Sequence, residues 1–240
     1  MFTYLYALLV GMVFGSFFMV IAMRVPIGES IITPRSYCHY CKYTLQPKEL
    51  IPIISFCMQK GRCTNCKRKI SCLYIVFEFV TGSLFFLTVY VIGIERELII
   101  ILSLFSLLLI ISVTDLVYML IPNRILIWFA LLLILECIFV PLVTWIDSLA
   151  GSGTIFILLY CMQRIHPDGL GGGDVKLLLL LGFIVGVKGV FITLFLASCF
   201  SLCFFGIGIA LKRIKIRTKM PFGPFISLGA ICYMLVTYAK

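Results

Sequence analysis

Long apolar runs follow one another along almost the whole chain, broken by short polar turns and by one longer polar stretch, residues 24–71. Several windows of 17 to 22 residues carry no charge at all. A membrane-spanning helix needs about 20 mainly apolar residues. The runs are continuous rather than alternating, which excludes a transmembrane barrel. The pattern predicts an all-α integral membrane protein with eight transmembrane helices, at about 2–23, 72–93, 98–115, 125–143, 146–162, 175–187, 189–211 and 222–239. The 175–187 span is short and contains glycine, so it is expected to be tilted or partly re-entrant. Phe2 to Met23 lacks a positively charged start and a small-residue cleavage site, so it reads as a retained first span.

Composition agrees with this picture. The chain is 62% hydrophobic and 12% charged, where soluble domains run at about 45–50% and about 25%. Charge then adds an orientation. With the first loop cytoplasmic, 17 of the 20 Lys and Arg residues fall on the inner side, leaving only Arg96, Lys188 and Lys240 outside. Both termini are then outside. The net charge of +10 reads as a topology signal and an attraction to anionic lipid. Nucleic-acid binding has no motif to support it. Three parts are expected: a first transmembrane helix, 1–23; a cytoplasmic cysteine domain, 24–71; and a seven-helix membrane core, 72–240.

Two carboxylates stand out against the apolar background. Asp115 ends the uncharged run that starts at Leu98, and Asp174 follows Gly171-Gly172-Gly173. Charge at a membrane span is costly and marks function by default. The third span ends inside and the sixth starts inside. Both aspartates therefore land at the cytoplasmic face, although 58 residues lie between them. Two carboxylates at one face can share a proton and perform acid–base chemistry as a unit. The plainer roles are an N-terminal helix cap for Asp174 and a helix-end carboxylate at the interface for Asp115. Gly171, Gly172, Gly173 and Lys176 are expected to form a substrate or active-site loop around Asp174, with Lys176 alternatively an interfacial anchor. His166 and Asp168 read as loop residues. Glu136 and Asp147 have no assignable partner, and Glu78 lies about two turns into the second span.

The polar stretch carries Cys38-His39-Tyr40-Cys41 and Cys63-Thr64-Asn65-Cys66, with 21 residues between the pairs. Two Cys-x-x-Cys pairs suit a tetrahedral structural zinc held by Cys38, Cys41, Cys63 and Cys66. A reducible dithiol pair is the alternative, and His39 is a lesser candidate ligand. The other seven cysteines have no informative spacing and read as small apolar residues. Gly11-x-x-x-Gly15 and Gly182-x-x-x-Gly186 have the spacing of close helix packing. Pro221-Phe222-Gly223-Pro224 breaks the chain at the inner face or borders a substrate path.

In order, these elements resemble the type IV prepilin peptidases, the bacterial branch of the GxGD intramembrane aspartyl proteases. The resemblance rests on Gly15-Ser16-Phe17 with Arg24-Val25-Pro26, Pro34-Arg35-Ser36, the two cysteine pairs, and Ile70-Ser71 through Tyr74 to Glu78. It continues with Asp115 and Ile121-Pro122-Asn123, Gly171 to Lys176, and the closing Pro221 to Pro224 and Gly229-Ala230. It implies an enzyme in the bacterial cytoplasmic membrane that cuts prepilins or competence pseudopilins after the glycine ending a short basic leader, on the cytoplasmic side. Asp115 and Asp174 would be the catalytic pair. Many members also methylate the new N-terminus with S-adenosylmethionine, and Glu78 is the candidate residue for that activity here. Met19 stands where many members carry Asn, which weighs against methylation and towards a competence system. Oligomeric state is not legible. A polytopic transporter with a structural zinc domain is the competing class; its carboxylates would line an ion path.

Overall fold

The structure, a computed structural model, describes residues 2–38, 40–165, 171–212 and 220–239. His39, His166, Asp168, Lys240 and the basic residues between 213 and 219 lie outside the described residues. The secondary structure described is helical apart from two isolated bridges. Eight α-helices appear: α1 (Phe2–Arg24), α2 (Ile54–Met58), α3 (Cys72–Ile92), α4 (Glu97–Tyr118), α5 (Asn123–Phe139), α6 (Trp145–Ile165), α7 (Gly172–Ala210) and α8 (Gly223–Thr237). Of these, α1, α3, α4, α6 and α7 are long and apolar enough to cross a membrane. Several such helices in one chain mark a multi-pass membrane protein. It divides into two compact units, Met1–Gly93 and Ile94–Lys240.

In the first unit, α1 and α3 pack along their length. Lipid is as apolar as the side chains it replaces, so helices associate there through close packing. Small residues allow it: a Cβ on Gly11 would lie 2.8 Å from Phe85 Cβ, and one on Gly82 would lie 2.7 Å from Met12. Ser71 caps α3, its hydroxyl accepting the Leu73 N–H at 3.2 Å. In the chain, the cysteine segment between the two helices forms turns, two short 3-10 helices (Val25–Ile27 and Pro47–Leu50) and the short helix α2.

In the second unit, α4 is the centre. Leu104, Phe105, Leu107, Leu108, Ile110 and Ile111 are fully buried along it. α6 and α7 approach at backbone distance, where Gly151 faces the Gly182 carbonyl. α7 has 39 residues, about 58 Å of helix at 1.5 Å per residue. That is nearly twice the hydrocarbon thickness of about 30 Å. It is broken at Gly186, which has φ 72° and ψ −175°. The break lies close to the boundary expected between the sixth and seventh spans. Asp147, on α6, stabilises the break: its Oδ1 accepts the Val187 N–H at 3.2 Å. Any side chain at residue 186 would run into that carboxylate.

Candidate active site and metal centre

Asp115 lies one turn before the end of α4. The helix stops at Met119, in the left-handed region at φ 51°, whose N–H returns to the Asp115 carbonyl at 2.9 Å. The turn leads through Ile121 and Pro122 into α5. The Asp115 side chain is 7% exposed. Its Oδ2 accepts the backbone N–H of Gly223, the first residue of α8, at 2.8 Å.

Asp174 sits in the first turn of α7, with Gly171 at the N-cap. The Gly171 N–H faces its carboxylate, and Asp115 is close enough for the two charges to interact. Its Oδ1 is buried without a hydrogen-bond partner among the described residues, an arrangement that leaves one oxygen available to a proton or a substrate atom. The three glycines differ in their surroundings. A Cβ on Gly173 would stand 2.8 Å from Ile121 Cβ, one on Gly171 would stand 3.0 Å from Asp174 Oδ2, and one on Gly172 would meet open space. Lys176 donates from Nζ to Asn123 Oδ1 at 2.9 Å. Together, the end of α4, the Ile121 turn and the starts of α5, α7 and α8 converge on the two carboxylates.

The cysteine pairs also converge. The four Sγ atoms lie within 4.8 Å of one another; Cys38 and Cys66 are 3.8 Å apart, and Cys41 and Cys63 are 3.9 Å apart. A tetrahedral zinc with bonds of about 2.3 Å places its sulfurs about 3.8 Å apart. The donor set therefore fits such an ion, and the sulfurs are too far apart for disulfides. Both pairs use one backbone pattern. Lys42 and Lys67 each take φ 58°. Their N–H groups bond the carbonyls of Cys38 and Cys63, while Cys38 and Cys63 donate to Tyr43 and Arg68. The Cys41 N–H directed at Cys38 Sγ brings that thiol down to about 7, against the opposing effect of burial. A thiol so lowered is readily a thiolate ligand. Asn65 Nδ2 lies 3.8 Å from Cys41 Sγ.

Two buried charged side chains anchor this module. Arg24, at the end of α1, donates to the carbonyls of Ser30 at 3.0 Å, Pro34 at 2.8 Å and Arg35 at 3.4 Å. Glu78 on α3 accepts the Ile53 N–H through Oε2 at 2.9 Å. Ile53 has φ 60°, a costly conformation for a β-branched residue. Glu78 is therefore committed to the loop between the cysteine pairs. Glu136 accepts from Ser103 Oγ at 2.8 Å. The sequence carries no signal for Arg24, Gly223 or Asp147 in these roles, because each pairs a side chain with a backbone group that the sequence does not mark.

An all-helical membrane chain with paired carboxylates and a four-cysteine cluster matches one class of peptidase. The chain belongs to the type IV leader peptidase family, whose model matches residues 102–207, and the bacterial peptidase A24 N-terminal domain matches residues 9–92. A prepilin leader peptidase/N-methyltransferase of Bacillus subtilis (strain 168) is 40% identical over 221 residues, spanning 92% of this chain and 89% of its own length. A protein of the same description from Klebsiella pneumoniae is 34% identical over 199 residues, 78% of this chain and 87% of its own. The type 4 prepilin-like proteins leader peptide-processing enzyme of Escherichia coli O78:H11 is 31% identical over 247 residues, 92% and 89% of the two chains. No solved structure matches.

Proposed function

We propose that this chain is a membrane-embedded aspartyl endopeptidase. It removes the short basic leader of prepilins or competence pseudopilins at the cytoplasmic face, cutting after glycine, with Asp115 and Asp174 as the catalytic pair. The observation that carries this reading is the convergence, from separate helices, of the buried Asp115 carboxylate and the half-buried Asp174 carboxylate. The ionised aspartate takes a proton from water as the water oxygen bonds the scissile carbonyl carbon. The protonated aspartate hydrogen-bonds the carbonyl oxygen. As the C–N bond breaks, a proton passes to the leaving amine, and the pair is ready for another cycle. Gly172, with open space where a Cβ would be, leaves the substrate backbone room beside Asp174.

The fold around the site follows the same reading: eight spans, the two arms of α7 counted separately, with a seven-helix core after the first helix. The charge bias supports an orientation in the bacterial cytoplasmic membrane with the active site and cysteine domain inside. Cys38, Cys41, Cys63 and Cys66 hold a structural zinc, which ties together a segment too small to build its own core. Glu78 and Arg24 fix that segment to the membrane ends of α3 and α1. Lys176 braces the start of α7 against Asn123.

A second activity has one observation in its favour: the Bacillus and Klebsiella relatives carry N-methyltransferase in their names. Transfer of a methyl group from S-adenosylmethionine to the new N-terminal amine would follow cleavage. Mass analysis of a purified prepilin after incubation with the enzyme tests both readings. The expected product begins at the residue after the leader glycine, and when S-adenosylmethionine is supplied a methylated product is heavier by one CH2, the methyl having replaced an amine hydrogen. Cleavage elsewhere, or none, contradicts the peptidase assignment. An unmodified amine contradicts the second activity alone.

A further inference from the structure

We propose that the backbone amide of Gly223 is the positioning group for Asp115, and that only glycine there lets the carboxylate reach it. The inference rests on Asp115 being a catalytic carboxylate. Asp115 lies near the C-terminal end of its own helix, where the peptide carbonyls disfavour a negative charge. The first turn of α8 supplies the missing donor, with the Gly223 N–H 2.8 Å from Oδ2. A Cβ on Gly223 would also stand 2.8 Å from that oxygen, and 3.3 Å from Asp115 Cβ and Cγ. The amide is therefore reachable only because no side chain is present. One turn on, Ser227 sets the register. Its buried hydroxyl lies 3.0 Å from the Leu108 carbonyl on α4 and 2.9 Å from the Gly223 carbonyl. α8 is thus tied to α4 at two levels, and the upper tie is the carboxylate itself. The bond to Oδ2 restrains rotation of the carboxylate.

The test is steady-state cleavage by the full-length enzyme in detergent. The substrate is a purified prepilin whose short basic leader ends in glycine. Gly223→Ala is expected to lower kcat about 10- to 100-fold while KM stays within about two-fold, the signature of a lost charge-assisted hydrogen bond felt in the reaction rather than in binding. Gly223→Ser is expected to recover several-fold over Ala, because its hydroxyl can donate to the displaced carboxylate. A role in packing alone would make the bulkier Ser no better than Ala. Wild-type kcat in Gly223→Ala, or no recovery in Gly223→Ser, overturns the inference. Wild-type activity in Asp115→Asn would instead remove the catalytic reading beneath it.

Discussion

At the scale of single residues, the molecule repeatedly sets a charged side chain against a distant backbone amide or carbonyl. Asp115 accepts from Gly223, Glu78 from Ile53 and Asp147 from Val187, while Arg24 donates to three loop carbonyls. Backbone groups freed by a break or a turn must find partners, and a buried carboxylate or guanidinium serves. Asp147→Ala removes the acceptor at the Gly186 break. It is expected to lower stability by about 1 kcal/mol, the scale of a lost helix cap, read as a drop in Tm in detergent. An unchanged Tm would mean that the break does not depend on Asp147. Gly173→Ala forces a Cβ against Ile121 and should cost about 1–3 kcal/mol as overpacking. Restoring space with Ile121→Gly should recover part of it, and additive losses in the double variant would argue against this contact. The charged partners were visible in the sequence and their targets were not. A backbone amide has no sequence signature, so Pro221-Phe222-Gly223-Pro224 read as a chain break or the border of a substrate path, and Asp147 had no assignable partner.

At the scale of elements, the apolar runs marked the helices well because lipid-facing and buried positions alike are hydrophobic. The break in α7 lies close to the boundary expected between two adjoining spans, and an unbroken helix of 39 residues would exceed a bilayer of about 30 Å. The cysteine pairs and a knuckle-like turn after each, at Lys42 and Lys67, were legible in the sequence, but the backbone conformation that closes each turn was not. It depends on two lysines in the left-handed region, which sequence preference would assign to glycine. Metal analysis of the purified protein should return close to one zinc per chain, falling well below half an equivalent in Cys38→Ser with Cys66→Ser. Metal-free protein with four reactive thiols would instead favour the dithiol reading.

At the scale of the whole molecule, the two family matches, residues 9–92 and 102–207, fall in separate compact units that meet in the chain at Gly93 and Ile94. One unit carries the cysteine centre and the other carries both aspartates. A maleimide that cannot cross the membrane, applied to intact cells, is expected to label Lys188→Cys and to spare Lys60→Cys. The reverse pattern would put the aspartates outside, away from a cytoplasmic leader. The most direct test of the central claim is cleavage of a purified prepilin by wild type, Asp115→Asn and Asp174→Asn, each full-length and zinc-loaded. Either substitution should reduce kcat by at least about 1,000-fold, because each carboxylate has a separate proton to move. Cleavage at the wild-type rate by either variant would contradict the paired-aspartate mechanism.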